Sequence, residues 1–269
     1  MRWALVLLLL GCVPPEERGV QVVFPPEPLR SFEVPGGFSG RGAIAAGEFG
    51  EVYVVDTDRN RLVRLDSKGR LLNETGGFGD EPGRFRGPSD VGTWGLEVYV
   101  ADEGNMRIQR FDRSLNFIGS YDTGGRRPLA LEVSEDGLFF VDGRKVWQVT
   151  QERALPFGAG NLRGPVDLSA EEGRVWISDA GKDEVVVIDI FGMELDSWKL
   201  EGPLGMEARD GICWVADGRR VWALHYERGP LGSLEGPLKD PIDVAVGRGE
   251  VYVLGKTGKV WVFATKGGE

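Results

Sequence analysis

Six short stretches decide the fold: EVYVVD (51–56), EVYVAD (97–102), LFFVD (138–142), RVWISD (174–179), ICWVAD (212–217) and EVYVLG (250–255). Each is an apolar–aromatic–apolar strand, and five of the six end in aspartate. The aromatic three positions before the anchor is Tyr53, Tyr99, Phe139, Trp176, Trp214 and Tyr252, at spacings of 46, 40, 37, 38 and 38 residues. That period is the length of a four-stranded propeller blade. Buried strands favour large side chains at such positions, so these aromatics read as core and not as a ligand cage.

Working outward, each repeat divides into four strands. A proline-led inner strand comes first: PSDVG (88–92), PLALEV (128–133), PVDLS (165–169), PLGMEA (203–208) and PIDVAV (241–246), with Arg41 in place of proline in RGAIAA (41–46). The aromatic strand follows, then a third strand such as RIQRFD (107–112), then an outer one such as LNFIGSYD (115–122). Gly, Asn and Asp mark the turns between them. After KVWVFA (259–264) too few residues remain for an outer strand, whereas PLRSFEV (28–34) stands unpaired at the other end. The expectation is an all-β, six-bladed β-propeller of four-stranded antiparallel blades over 28–269, closed by pairing of the N-terminal strand with the last blade. Closure removes edges that invite aggregation.

VADEGNMRIQRFD (100–112) and the glycine-rich GGFGDEPGRFRGPSDV (76–91) resemble the NHL repeat. Blades one and two carry the resemblance most strongly. Members often have histidine before the arginine of the turn, where this chain has Asn60 and Met106. The resemblance implies a propeller that binds protein, nucleic acid or a small ligand on one face. It does not imply catalysis, because fold alone never does.

The first residues, MRWALVLLLLGC (1–12), place one arginine before an apolar run far shorter than the roughly 20 residues of a spanning helix. A basic start, a short apolar core and a small residue at the cut describe a secretory signal. Leu9-Leu10-Gly11-Cys12 resembles the lipobox of bacterial lipoproteins. It implies a signal peptide over 1–11, acylation of Cys12, and a Pro-rich tether over 12–27 that holds the propeller off the bilayer. The expected place is extracytoplasmic, membrane-anchored, at the periplasm or cell surface. An envelope protein or cell-wall component is the expected partner.

The net charge of −10 moves to −11 once Arg2 is removed with the signal. That sign opposes binding of phosphate backbones, so no nucleic-acid partner is expected. Apart from Cys12 the single cysteine is Cys213, in an apolar strand, where it reads as a small core residue.

Aligned on their first residue, the inner strands of blades two, four and six carry Asp90, Asp167 and Asp243 two positions on. Blades three and five carry Glu132 and Glu207 two residues deeper. These five carboxylates fall on one side of their strands and point to the axis. Aspartate after proline commonly fixes its own turn by accepting backbone N–H groups. The glutamates need water, a cation or an arginine, since an unpaired buried charge is costly. Arg86, Arg127 and Arg163 belong to a second set, in loops entering the inner strands on what we term the upper face. They read either as neutralising nearby carboxylates or as gripping an anionic group of a ligand.

The only histidine, His225, lies in a third strand, so neither a multi-histidine zinc site nor an axial histidine base can be assembled. No catalytic residue is assigned. The primary expectation is a binding or scaffolding propeller that docks its partner on the upper face, with no cofactor. The alternative is a calcium-dependent lactonase-like hydrolase, in which the five carboxylates and Asn161 supply oxygen ligands.

Overall fold

The second strand of each repeat is largely apolar on both sides, and the structure shows why. The computed structural model describes residues 27–151, 153–158 and 161–265. It holds six four-stranded antiparallel sheets arranged as the blades of a ring. Each inner, second and third strand is packed between neighbouring blades, whereas the outer strand faces solvent. Strand β3 (Val52–Asp56) is buried throughout, but the outer β5 (Leu71–Gly76) of the same blade is largely exposed. Blade one also contains β2 (Gly42–Ala46) and β4 (Arg61–Leu65).

Ring closure follows the sequence expectation. β1 (Arg30–Glu33) pairs with the last strand, β24 (Lys259–Ala264), in the register Arg30↔Val262 to Glu33↔Lys259. A bidentate contact from Arg30 to Glu250, 2.6 Å on each arm, ties the closing strand to the second strand of the same blade.

The core lies in the six seams between blades. Tyr53 packs in the seam of blades one and two, Tyr99 in that of two and three, and Phe139 in that of three and four. Trp176, Trp214 and Tyr252 continue the series around the ring. One large aromatic per seam contributes about 1.5–3 kcal/mol of burial each. Cys213 is buried in the fourth of these seams, as a core residue. Five strand ends carry an aspartate that accepts turn or loop N–H groups, fully buried at Asp56, Asp102 and Asp179 and partly buried at Asp142 and Asp217. Asp102, for example, accepts the Arg86 N–H at 2.8 Å, Arg107 Nε at 2.8 Å and Gln109 Nε2 at 3.0 Å. Blade six has Gly255 instead, because a Cβ there would lie 2.6 Å from the Trp261 ring.

Several strand boundaries differ from the sequence reading. Inner strands β10 (Ala130–Ser134) and β18 (Met206–Arg209) start after their prolines. The prolines of β6 (Pro88–Trp94), β14 (Pro165–Glu171) and β22 (Pro241–Gly247) lie within their strands, each followed by a bulge. The outer strand β9 (Phe117–Asp122) also starts late, since Leu115 takes a left-handed φ of 66° in a turn capped by Asp112. The expected leader over 1–11, Cys12 and the expected tether as far as residue 26 lie outside the described residues. Among the described residues no helix is long and apolar enough to cross a membrane.

Candidate functional site

The inner strands line the axis, and residues two apart along each lie on the same side of the strand. Opposite the six seam aromatics in the β-ladder stand Ala45, Gly92, Glu132, Ser169, Glu207 and Ala245, one level below the aspartates. The two depths read from the sequence are thus real levels of the ring.

At the upper level a three-fold pattern repeats. The bulge after each proline turns the aspartate so that one oxygen accepts the next N–H of its own strand and the other an N–H of the following blade. Asp90 accepts from Val91 and Leu131, both at 2.7 Å. Asp167 accepts from Leu168 at 2.9 Å and Met206 at 2.6 Å. Asp243 accepts from Val244 at 2.8 Å and Ile44 at 2.7 Å. Blades one, three and five have Ala43, Ala130 and Gly205 at the matching positions. Gly205 is required, because a Cβ there would fall 1.9 Å from Asp243 Oδ1.

These aspartates form a waist. The axis holds an upper cavity of about 170 Å³ and a lower one of about 550 Å³, and among the described residues Asp90, Asp167 and Asp243 alone line both. Burial pushes Asp90 up to about 7 despite its two N–H donors. Burial, then repulsion among the three, holds Asp167 and Asp243 well above the usual carboxylate range.

The lower cavity contains Glu132 and Glu207. Glu207 accepts the Val246 N–H of blade six at 2.8 Å and meets Arg209 at 3.3 Å. Glu132 lies near Glu207; burial first, then Glu207, raises its pKa well above the ordinary value. Glu171 accepts the Asp210 and Gly211 N–H groups of blade five at 2.5 and 3.0 Å. Trp94, 48% exposed, closes the list of prominent lining groups at the mouth.

The five sequence-chosen carboxylates all line this one cavity. Its opening differs from the expectation. It lies among the turns that join inner to second strands, on the face opposite the loops of Arg86, Arg127 and Arg163. On the upper face the three arginines are exposed and separately engaged. The Arg127 guanidinium pairs with Glu103 at 2.6 Å and that of Arg86 stands 5.3 Å over the Phe78 ring, while the backbone N–H of Arg163 donates to Asp179 at 2.9 Å. Carboxylates and arginines therefore form two surfaces and not one.

Both oxygens of each waist aspartate are committed to backbone N–H groups, and Asn161 lines neither cavity. Among the described residues no group of three or more His, Cys, Asp or Glu is placed to hold a metal ion.

Sequence reasoning missed Trp94, Glu171 and Arg209. Extending the alternation two residues past Gly92, Ser169 and Glu207 would have found all three.

With this geometry in place, comparison with known proteins is informative. Residues 85–111 match the NHL repeat family. NHL repeat-containing protein 3 of Mus musculus is 32% identical over 111 residues, which cover 39% of this chain and 32% of that protein. The matched part is thus about a third of the relative's length. Virginiamycin B lyase from Staphylococcus aureus superposes with a TM-score of 0.64 at 12% identity, covering 87% of this chain and 98% of that one. A structural genomics protein of unknown function from Bacteroides thetaiotaomicron gives 0.68 at 16% identity, with coverages of 88% and 72%. Identities this low show the shared propeller fold alone.

Proposed function

We propose that the protein is a lipid-anchored binding propeller of the cell envelope, held at Cys12, whose partner, an envelope protein or cell-wall component, engages the mouth of the lower cavity. The NHL repeat and the closed ring support a binding or scaffolding role in general. The lipobox-like LLGC supports the anchor.

The observation that carries the reading is the lower cavity itself. Its floor is three aspartates whose oxygens serve the backbone, and its open end presents polar groups and a half-exposed tryptophan. Its volume of about 550 Å³ falls in the ordinary range for ligand sites. No lining residue is a histidine or cysteine.

Affinity capture from detergent-solubilised envelopes tests this. A partner retained by wild type and by Arg127→Ala/Arg163→Ala, but lost with Trp94→Ala, is the expected result. Loss with the arginine variant alone would move the site to the upper face. Lactone hydrolysis abolished by Glu132→Gln would replace the reading with the hydrolase. The anchor is tested separately: Cys12→Ser should lose both the lipid mass and detergent-phase partitioning.

A further inference from the structure

The lining of the lower cavity has a charge imbalance that bears on ligand chemistry. Glu132, Glu171 and Glu207 lie on its wall, while Arg209 and Arg248 are its only cationic lining residues. Both are engaged: Arg209 with Glu207 at 3.3 Å, and Arg248 with the Phe49 carbonyl at 2.9 Å. A recess of one sign with low-dielectric walls focuses field lines and concentrates counter-ions.

Trp94 supplies an independent observation. Trp147, Trp222 and Trp261 each have a cation of the chain over the ring, at 3.7, 5.2 and 5.5 Å. Among the described residues no such cation covers Trp94, which stands 48% exposed on the cavity mouth. An indole face is the best aromatic receptor for a cation.

We infer that the lower cavity takes an organic cation, an amine- or guanidine-bearing group of the partner, with its charge among the glutamates and its flank on Trp94. The inference rests on the lower cavity being the binding site. Glu132 faces Asp90, Glu207, Ser169 and Arg209, and its raised pKa comes from burial and then from the two carboxylates. A cation beside it offsets that repulsion, so binding releases protons and tightens as pH rises.

Calorimetry on the full-length protein in detergent tests this with small probes: tetramethylammonium and 1,5-diaminopentane, against acetate and glucose. Saturable binding of the two cations alone is expected, weakened by salt. Trp94→Ala should weaken tetramethylammonium about tenfold, with partial rescue by Trp94→Phe. Glu132→Gln should weaken the diamine and abolish its proton release. Preference for acetate or glucose, or cation binding indifferent to both substitutions, would overturn the inference. If the cations fail to bind while Trp94→Ala still abolishes partner capture, the cation inference falls and the lower site stands. Capture indifferent to Trp94→Ala overturns the site itself.

Discussion

Asp167 Oδ2 of blade four accepts the Met206 N–H of blade five at 2.6 Å. With its counterparts at Asp90 and Asp243, this bond links the seams two–three, four–five and six–one. One level lower, seam one–two is linked by Thr93 to the Ala46 carbonyl at 2.8 Å, seam four–five again by the Ala208 N–H to Ser169 Oγ at 3.0 Å, and seam five–six by Glu207 to the Val246 N–H at 2.8 Å. Carboxylates of both depths thus serve as links between neighbouring blades, Asp90, Asp167 and Asp243 at the upper level and Glu207 at the lower.

Asp167→Ala should destabilise the protein by about 1–3 kcal/mol or more, since it leaves the buried Leu168 and Met206 N–H groups without their acceptor. Trp94→Ala, at the exposed rim, should stay within about 0.5 kcal/mol. Denaturant midpoints of the two variants check the contrast. Equal midpoints would mean that the links contribute nothing.

Stability should fall as pH rises from mild acid. Asp90, with a folded pKa of about 7 against an ordinary 3.8, binds more protons folded than unfolded between those values. Its contribution is fully present below the unfolded pKa and lost as pH climbs through about 7; Asp167 and Asp243 act in the same direction. Glu51, Glu184 and Glu250 have lowered values and work oppositely, losing their contribution at stronger acid. Thermal melting should therefore be higher at about pH 5 than at about pH 8, with a shallower slope in Asp90→Asn. A slope of the opposite sign in wild type would contradict the assignment.

Gly205→Ala should cost about 1–3 kcal/mol. The new Cβ would meet Asp243 Oδ1 at 1.9 Å and the Asp243 Cα at 2.7 Å, and backbone cannot yield as a side-chain tip can. Ala130, at the same level in blade three, already carries that methyl. Differential scanning calorimetry of Gly205→Ala should show the loss, and an unchanged melting temperature would mean that blade five can shift.

Removing residues 1–27 should leave melting nearly unchanged, because all six sheets lie beyond them. Extending the deletion through Val34 removes β1 and exposes the β24 edge. That variant should melt much lower or aggregate. Light scattering and melting of the pair decide it.

Most of the fold was legible in the sequence because a propeller repeats its chemistry. The aromatics at Tyr53 through Tyr252 mark one seam each, and the unpaired 28–34 segment announced the closure. The partners of the waist aspartates were not legible. Asp90 bonds its own next N–H, as such residues do, but its second partner, Leu131, lies 41 residues away and is set by how adjacent blades meet. The face on which the cavity opens depends on turn lengths and side-chain reach around the whole ring.

Site-specific photo-crosslinking tests the central claim most directly. A photoreactive amino acid in place of Trp94, at the lower mouth, and of Phe78, on the upper face, is compared in intact envelopes. The account predicts a discrete partner adduct from position 94 and none from position 78. An adduct from position 78 alone would contradict it.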